Sequence, residues 1–147
     1  MVWGCISSYG LTKIVILEGK ITSQVYLKLM QEVIIPEGKR LFGDDFILQQ
    51  DNAPTYTSKI VKKFITDSNI QCLVWPPQSP DLSPIENVWA WLKKKISEKE
   101  PRNMTELKDY IMKTWSELTS EDYRKYTLSM QTQICNMSVR NGGHCGY

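Results

Sequence analysis

Two acidic residues, Asp51 and Glu86, have the surroundings that metal-dependent phosphoryl transfer requires. Asp51 closely follows a short apolar run at residues 46–48, which reads as a buried strand, and Glu86 lies in the first turn of an amphipathic helix. Sites in open α/β sheets form at the carboxyl ends of strands, where a strand-end aspartate and a helix-borne glutamate can converge. Carboxylates are the ligands that Mg²⁺ and Mn²⁺ prefer, so the pair could hold divalent metal. Two such ions can activate a nucleophile and stabilise a leaving oxygen.

Both acids also have a purely structural interpretation. The residues after Asp51 (52–54, NAP) fit a turn and a helix cap, with Pro54 at a first helical position. Glu86 is the third residue after Ser83, the spacing of a capping box with proline at the first helical position. From these residues alone, the metal-binding and structural interpretations both stay open.

The elements around the acids alternate between strand-like and helix-like patterns. The predicted order is a hairpin over 1–18, a helix from Thr22 ended by Pro36, Gly38 and Gly43, a strand at 46–48, a helix from Pro54, a strand at 70–74, and helices opened by Ser83, Asn103 and Thr119. This order predicts an α/β fold in a single domain over residues 1–147.

Composition narrows the class of protein. The 147 residues are 41% hydrophobic and 23% charged, which indicates a globular chain. The formal net charge is only +2 and does not by itself indicate a nucleic-acid-binding protein. No run approaches the ~20 apolar residues of a membrane span, so we expect no membrane partner. Four cysteines without a C-x-x-C pair and a single histidine, His144, predict free thiols and argue against a zinc site.

Longer motifs extend the pattern beyond the two acids. Residues 49–54 (QQDNAP) and 75–89 (WPPQSPDLSPIENVW) strongly resemble the mariner superfamily of transposases, on its Tc-like branch. The 34 residues between Asp51 and Glu86 match the spacing of that branch between its second and third catalytic acids. Residues 1–7, 41–50 and 129–143 agree as well, so the resemblance covers essentially the whole chain.

The resemblance implies a ribonuclease-H-like fold with a D-D-E triad and two Mg²⁺ (or Mn²⁺) ions. Asp51 would be the second catalytic acid and Glu86 the third, both as metal ligands. In this family, water attacks a phosphodiester at the transposon end, and the freed 3′-hydroxyl then attacks target DNA. DNA is therefore the expected partner and the nucleus the expected location. The lysines that could contact phosphates are Lys59, Lys62, Lys63, Lys93, Lys94 and Lys95.

The sequence departs from the family pattern in two places. The first catalytic aspartate lies on a strand upstream of Met1 in the family, and the N-terminal DNA-binding region is also missing from these 147 residues. We therefore expect a catalytic domain without its first strand, inactive by itself. The absence of that strand leaves sheet edges unpaired. Such edges predict a fold of marginal stability, or one prone to pair with a second copy or with full-length transposase. Thr55 and Tyr56 stand where relatives often carry a basic residue and a histidine.

An alternative function belongs to a different class. The chain could be a non-enzymatic module, derived from a transposon, that binds DNA or pairs with full-length transposase. Its C-terminal helices and basic face would then matter, and its acids would not.

Overall fold

The computed structural model describes residues 1–76, 79 and 82–139, with side chains described up to residue 130. The chain forms two compact units, Met1–Gly4 with Val15–Ser79 and Cys5–Ile14 with Pro80–Tyr147. Residues 77, 78, 80 and 81 of the proline-rich motif lie outside the described residues, as do the predicted end of the last helix at 140–143 and His144.

Six short strands and six α-helices make up the described chain. In order they are β1 (Val2–Trp3), β2 (Ile6–Ser7), β3 (Gly10–Leu11), β4 (Val15–Ile16), α1 (Ser23–Leu29), a π-helical turn (Met30–Ile34), α2 (Ile35–Phe42), a 3₁₀ turn (Gly43–Asp45), β5 (Ile47–Leu48), α3 (Lys59–Asp67), β6 (Gln71–Cys72), α4 (Pro84–Ser97), α5 (Met104–Ser116) and α6 (Ser120–Val139). Within the described ranges, no helix combines the length and apolar character that crossing a bilayer requires.

The predicted hairpin is confirmed by two antiparallel pairings. In the first unit β1 pairs with β4, opposing Val2 to Ile16, and in the second unit β2 pairs with β3, opposing Ile6 to Leu11. The Ser7 hydroxyl closes the turn, because its oxygen accepts the Gly10 N–H at 3.1 Å and its hydrogen is donated to the Gly10 carbonyl at 3.0 Å.

The first helix begins as predicted and, of the three residues predicted to end it, ends at the last, Gly43. The Thr22 hydroxyl caps α1 by accepting the Val25 N–H. Pro36 and Gly38 do not stop the helix, which passes through the π-helical turn into α2 and ends at Gly43, whose φ is +73°. Proline lacks an N–H and presses on the preceding turn of a regular helix. The wider π-helical turn immediately before Pro36 relieves that conflict.

Gly38 lies inside α2 because an aromatic ring occupies the space of its missing side chain. A Cβ built on Gly38 would lie 2.9 Å from the Cδ2 and Cε2 atoms of Phe46, whose side chain is buried. The close approach places α2 directly against the residue that enters β5. Glycine normally weakens a helix interior, so this contact explains its presence better than a helix end does.

Two segments of the first unit differ from their predicted structure. Pro54 does not open a helix: the Ala53 carbonyl accepts the Tyr56 and Thr57 N–H groups in a turn, and α3 begins only at Lys59. The strand predicted at 70–74 is short and exposed instead of buried, with Val74 94% exposed. Within the described chain β6 pairs only with β5, in parallel, so its other edge has no strand beside it.

The second unit has a core formed by α4 and α5. Val88 is completely buried on α4, and the predicted positions Leu92 and Ile96 are buried with it, whereas Ile85 and Trp89 of the same predicted stripe are only half-buried. The predicted helix starts are confirmed by side-chain caps. The Asn103 side chain accepts the Glu106 N–H on α5, and Thr119 and Asp122 accept each other's N–H groups at the start of α6.

A buried hydrogen bond ties α5 to the tip of the hairpin. The Trp115 indole N–H donates to the Thr12 carbonyl at 3.0 Å, across 103 residues of sequence. Thr12 is buried, and its hydroxyl accepts the Cys5 N–H at 2.8 Å. Burial of the thiol raises the pKa of Cys5 to about 12, so this thiol stays protonated at neutral pH.

Gly38→Ala should destabilise the protein by about 1–3 kcal/mol, because the added methyl overpacks against Phe46. Urea unfolding measures the effect, and Phe46→Leu in the Gly38→Ala background should cost less than the two separate changes added together. The opposite sign, a gain of about 1 kcal/mol as at a free helical glycine, would show that the ring does not constrain this position.

Trp115→Phe should cost about 1–3 kcal/mol, because it leaves the buried Thr12 carbonyl without its donor. Thermal or urea unfolding measures the change. Trp91→Phe is the matched control, since Trp91 is half-buried on α4 and makes no hydrogen bond through its indole to a described residue. Equal losses in the two variants would mean that ring size matters and the indole hydrogen bond does not.

Candidate functional site

Asp51 lies at the carboxyl end of β5, three residues after Leu48, where an α/β fold places functional groups. Its side chain is exposed, and its Oδ1 accepts the Ala53 N–H at 2.9 Å. This bond forms the turn that the structural interpretation predicted, but it caps no helix. The Oδ2 atom accepts no hydrogen bond from the described residues, so the turn leaves half of the carboxylate available.

The residues on either side of Asp51 are also held by their side chains. Tyr26 donates its hydroxyl to the Gln50 Oε1 at 2.6 Å, and the Asn52 Nδ2 donates to the Trp75 carbonyl at 2.9 Å. The second contact joins the segment after β5 to the segment after β6. The sequence indicated Tyr26 only as one apolar position of a helix, and no spacing rule links it to Gln50.

Glu86 lies in the first turn of α4, which starts with Pro84 as predicted. The predicted capping box does not form, because the Ser83 side chain makes no capping hydrogen bond and the Glu86 N–H donates to the Ser83 carbonyl at 3.0 Å. The Glu86 carboxylate is exposed and accepts no hydrogen bond within the described part of the chain. The structural role proposed for this side chain is therefore not used.

The two acids belong to different units of the chain. Asp51 is in the first unit and Glu86 in the second. In residues 1–76, 79 and 82–139, no three side chains of His, Cys, Asp or Glu gather in an arrangement suited to a metal ion. Their assignment as metal ligands thus stays a prediction from sequence.

The six lysines of interest lie on two helices, one in each unit. All are exposed, and Lys63 forms an ion pair with Asp67 at 2.9 Å. The others make no ion pair with a described residue. On α3 the lysines are Lys59, Lys62 and Lys63, and on α4 they are Lys93, Lys94 and Lys95.

Comparison with known proteins finds a matching family model and sequence relatives that are transposases. Residues 1–108 match the family described as DDE superfamily endonuclease. The Tcb2 transposase of Caenorhabditis briggsae is 30% identical over 115 residues, covering 78% of this chain and 42% of the relative. The Tc3 transposase of Caenorhabditis elegans is 26% identical, covering 100% of this chain and 45% of the relative. The chain thus spans less than half the length of either relative.

Solved structures show the same fold. The crystal structure of the catalytic domain of Mos1 mariner transposase has a TM-score of 0.88 at 16% identity, covering 99% of this chain and 75% of the other. Structures of that domain and raltegravir with Mg and with Mn give the same TM-score. The Mos1 strand transfer complex gives 0.83 at 17% identity, covering 99% and 43%. The fold is therefore ribonuclease-H-like, as the resemblance implied. With residues 1–108 matched, the chain belongs to the DDE superfamily endonucleases and, by its sequence relatives, to the Tc-like branch of the mariner transposases.

Proposed function

We propose that this chain supplies two carboxylates, Asp51 and Glu86, to a divalent-metal site that cleaves and transfers DNA strands. The observation that carries the proposal is that this chain, a member of that family, presents exposed carboxylates at a strand end and in a first helical turn, with 34 residues between them. The resemblance assigns Asp51 as the second acid and Glu86 as the third. It puts the first acid on a strand upstream of Met1.

The donor chemistry of the two residues fits a hard divalent cation. Neither carboxylate forms an ion pair with a lysine or arginine of the described chain, and only one of their four oxygens, Asp51 Oδ1, accepts a hydrogen bond. Binding a cation would therefore break no existing salt bridge. Mg²⁺ and Mn²⁺ take oxygen ligands of this kind, and the Mos1 catalytic-domain structures with Mg and Mn support the same class of cation. When bound, such ions activate the attacking hydroxyl and stabilise the leaving oxygen.

The proposed substrate is DNA, first at the transposon end and then at the target. The exposed lysines of α3 and α4 would contact phosphates on either strand, without reading sequence. The Mos1 strand transfer complex supports a DNA partner for this fold. We further propose a nuclear location, and pairing with a second copy or with full-length transposase, on the basis of the family resemblance.

Asp51→Asn and Glu86→Gln should each weaken Mn²⁺ binding by about tenfold or more, because each removes a charged oxygen ligand. The free-Mn²⁺ signal in electron paramagnetic resonance, followed during titration of the 147-residue chain, measures the affinity. Urea unfolding is the control. The free energy of unfolding of both variants should lie within about 1 kcal/mol of the wild-type value, since neither carboxylate is buried or forms an ion pair with a described residue. Unchanged Mn²⁺ affinity in both variants would contradict the metal role.

Plasmid nicking provides the catalytic readout for the same two residues. With Mg²⁺ or Mn²⁺, the 147-residue chain should nick supercoiled DNA no faster than Glu86→Gln, because it holds two of the three acids. Metal-dependent nicking that Glu86→Gln abolishes would show instead that another residue of the chain replaces the first acid. Our expectation of inactivity would then be wrong.

The non-enzymatic alternative is favoured by the exposure of the lysines. Replacing Lys93, Lys94 and Lys95 with glutamine should lower the slope of log K against log salt by about 0.9 for each phosphate that the variant no longer neutralises. A control variant with the same charge change, Lys20, Lys28 and Lys113 to glutamine, should retain the wild-type slope. Equal slopes in both triple variants would exclude a phosphate-binding face on α4. A module without enzymatic function would also bind DNA identically after Asp51→Asn, with or without metal.

A further inference from the structure

The residue before Asp51 is held by a buried tyrosine from a distant part of the same unit. Tyr26 on α1 is only 1% exposed, and its hydroxyl donates to the Gln50 Oε1 at 2.6 Å. The Tyr26 ring is in turn packed against the ring of Tyr56, with centroids 4.2 Å apart and a 35° angle between planes. Gln50 is therefore anchored to a side chain that is itself fixed in the core.

The two residues that follow Gln50 are held as well, but at the surface. Asp51 is restrained by its own bond to the Ala53 N–H, and Asn52 by its bond to the Trp75 carbonyl. Both of these side chains are exposed, so water competes with their hydrogen bonds. Among these three anchors, only the one from Tyr26 reaches a nearly inaccessible side chain, and it therefore restrains this segment most strongly.

We propose that Tyr26 is a positioning residue for Asp51, acting through the amide of Gln50. This inference rests on the proposed function, in which Asp51 is a metal ligand. A metal site gains affinity when its ligands are already held in the binding geometry, and outer partners that orient a ligand contribute to that affinity. The packing of Tyr26 against Tyr56 is separable from this role, because a phenylalanine at position 26 keeps the ring contact and loses only the hydroxyl.

The position of Tyr56 supports the assignment. The ring of Tyr56 is packed directly on Tyr26. The half-buried side chain of Tyr56 therefore serves to fix Tyr26. Tyr56, five residues after Asp51, thus contributes through Tyr26 to the packing that supports Asp51.

The test compares Tyr26→Phe with Tyr110→Phe, the same chemical change at a half-buried position on α5. Two quantities are measured on the 147-residue chain: Mn²⁺ affinity by electron paramagnetic resonance and hydrogen exchange of the Ala53 amide by NMR without metal. Tyr26→Phe should weaken Mn²⁺ binding about tenfold and speed Ala53 exchange about fivefold, and Tyr110→Phe should change neither. The double variant Tyr26→Phe with Gln50→Ala should bind Mn²⁺ no more weakly than Gln50→Ala alone, because both act through one contact.

Asp51→Asn, measured alongside, separates the two hypotheses. If Asp51→Asn weakens Mn²⁺ binding and Tyr26→Phe does not, the metal site stands and the positioning role is overturned, even where Ala53 exchange is faster. If Asp51→Asn leaves Mn²⁺ binding unchanged, the metal assignment of Asp51 itself fails, and the role of Tyr26 in metal binding fails with it. Additive losses in the double variant would also overturn the proposed route through Gln50.

Discussion

The close packing of one helical rod against one extended segment determines where Asp51 lies in its unit. One helical rod is formed by α1, the π-helical turn and α2. It contacts the extended segment at residues 46–50 through two pairs, Gly38 against Phe46 and Tyr26 against Gln50. Twelve residues of helix span about 18 Å, and four extended residues span about 13 Å, so the two runs are comparable in length. The 3₁₀ turn at Gly43–Asp45 reverses the chain between them. Asp51 directly follows the second contact point.

The order of elements was predictable from sequence because it depends on local patterns. Alternation and turn residues marked the hairpin, and the caps at Thr22, Asn103 and Thr119 use side chains that reach only three residues ahead. The places where the prediction failed depend on backbone geometry and packing contacts that residue types alone do not specify. Pro36 and Gly38 are helix breakers by type, and only the π-helical turn and the ring of Phe46 make them compatible with a continuing helix.

The candidate site also has one part that was predictable from the sequence and one part that was not. The types and spacing of Asp51 and Glu86 were visible in the sequence, together with structural roles that either acid could have filled. One of those roles is used, the turn at Asp51, and the capping role of Glu86 is not. The contact between Tyr26 and Gln50 could not be predicted, because it joins residues 24 positions apart whose types occur in many helices and strands. Burial of the strand at 70–74 was overestimated because an apolar run does not indicate which of its faces another element covers.

The hydrogen bond between Trp115 and Thr12 has a consequence for the protein during its synthesis. The ribosome makes the hairpin tip 103 residues before its partner in α5. At about 5–20 residues per second, this interval lasts roughly 5–20 s. The first unit, complete by Ser79, can become compact during that delay, whereas the tip of β2 and β3 belongs to a unit whose remaining chain has yet to emerge. A nascent chain therefore carries an early segment without its core, which is the kind of surface that chaperones bind.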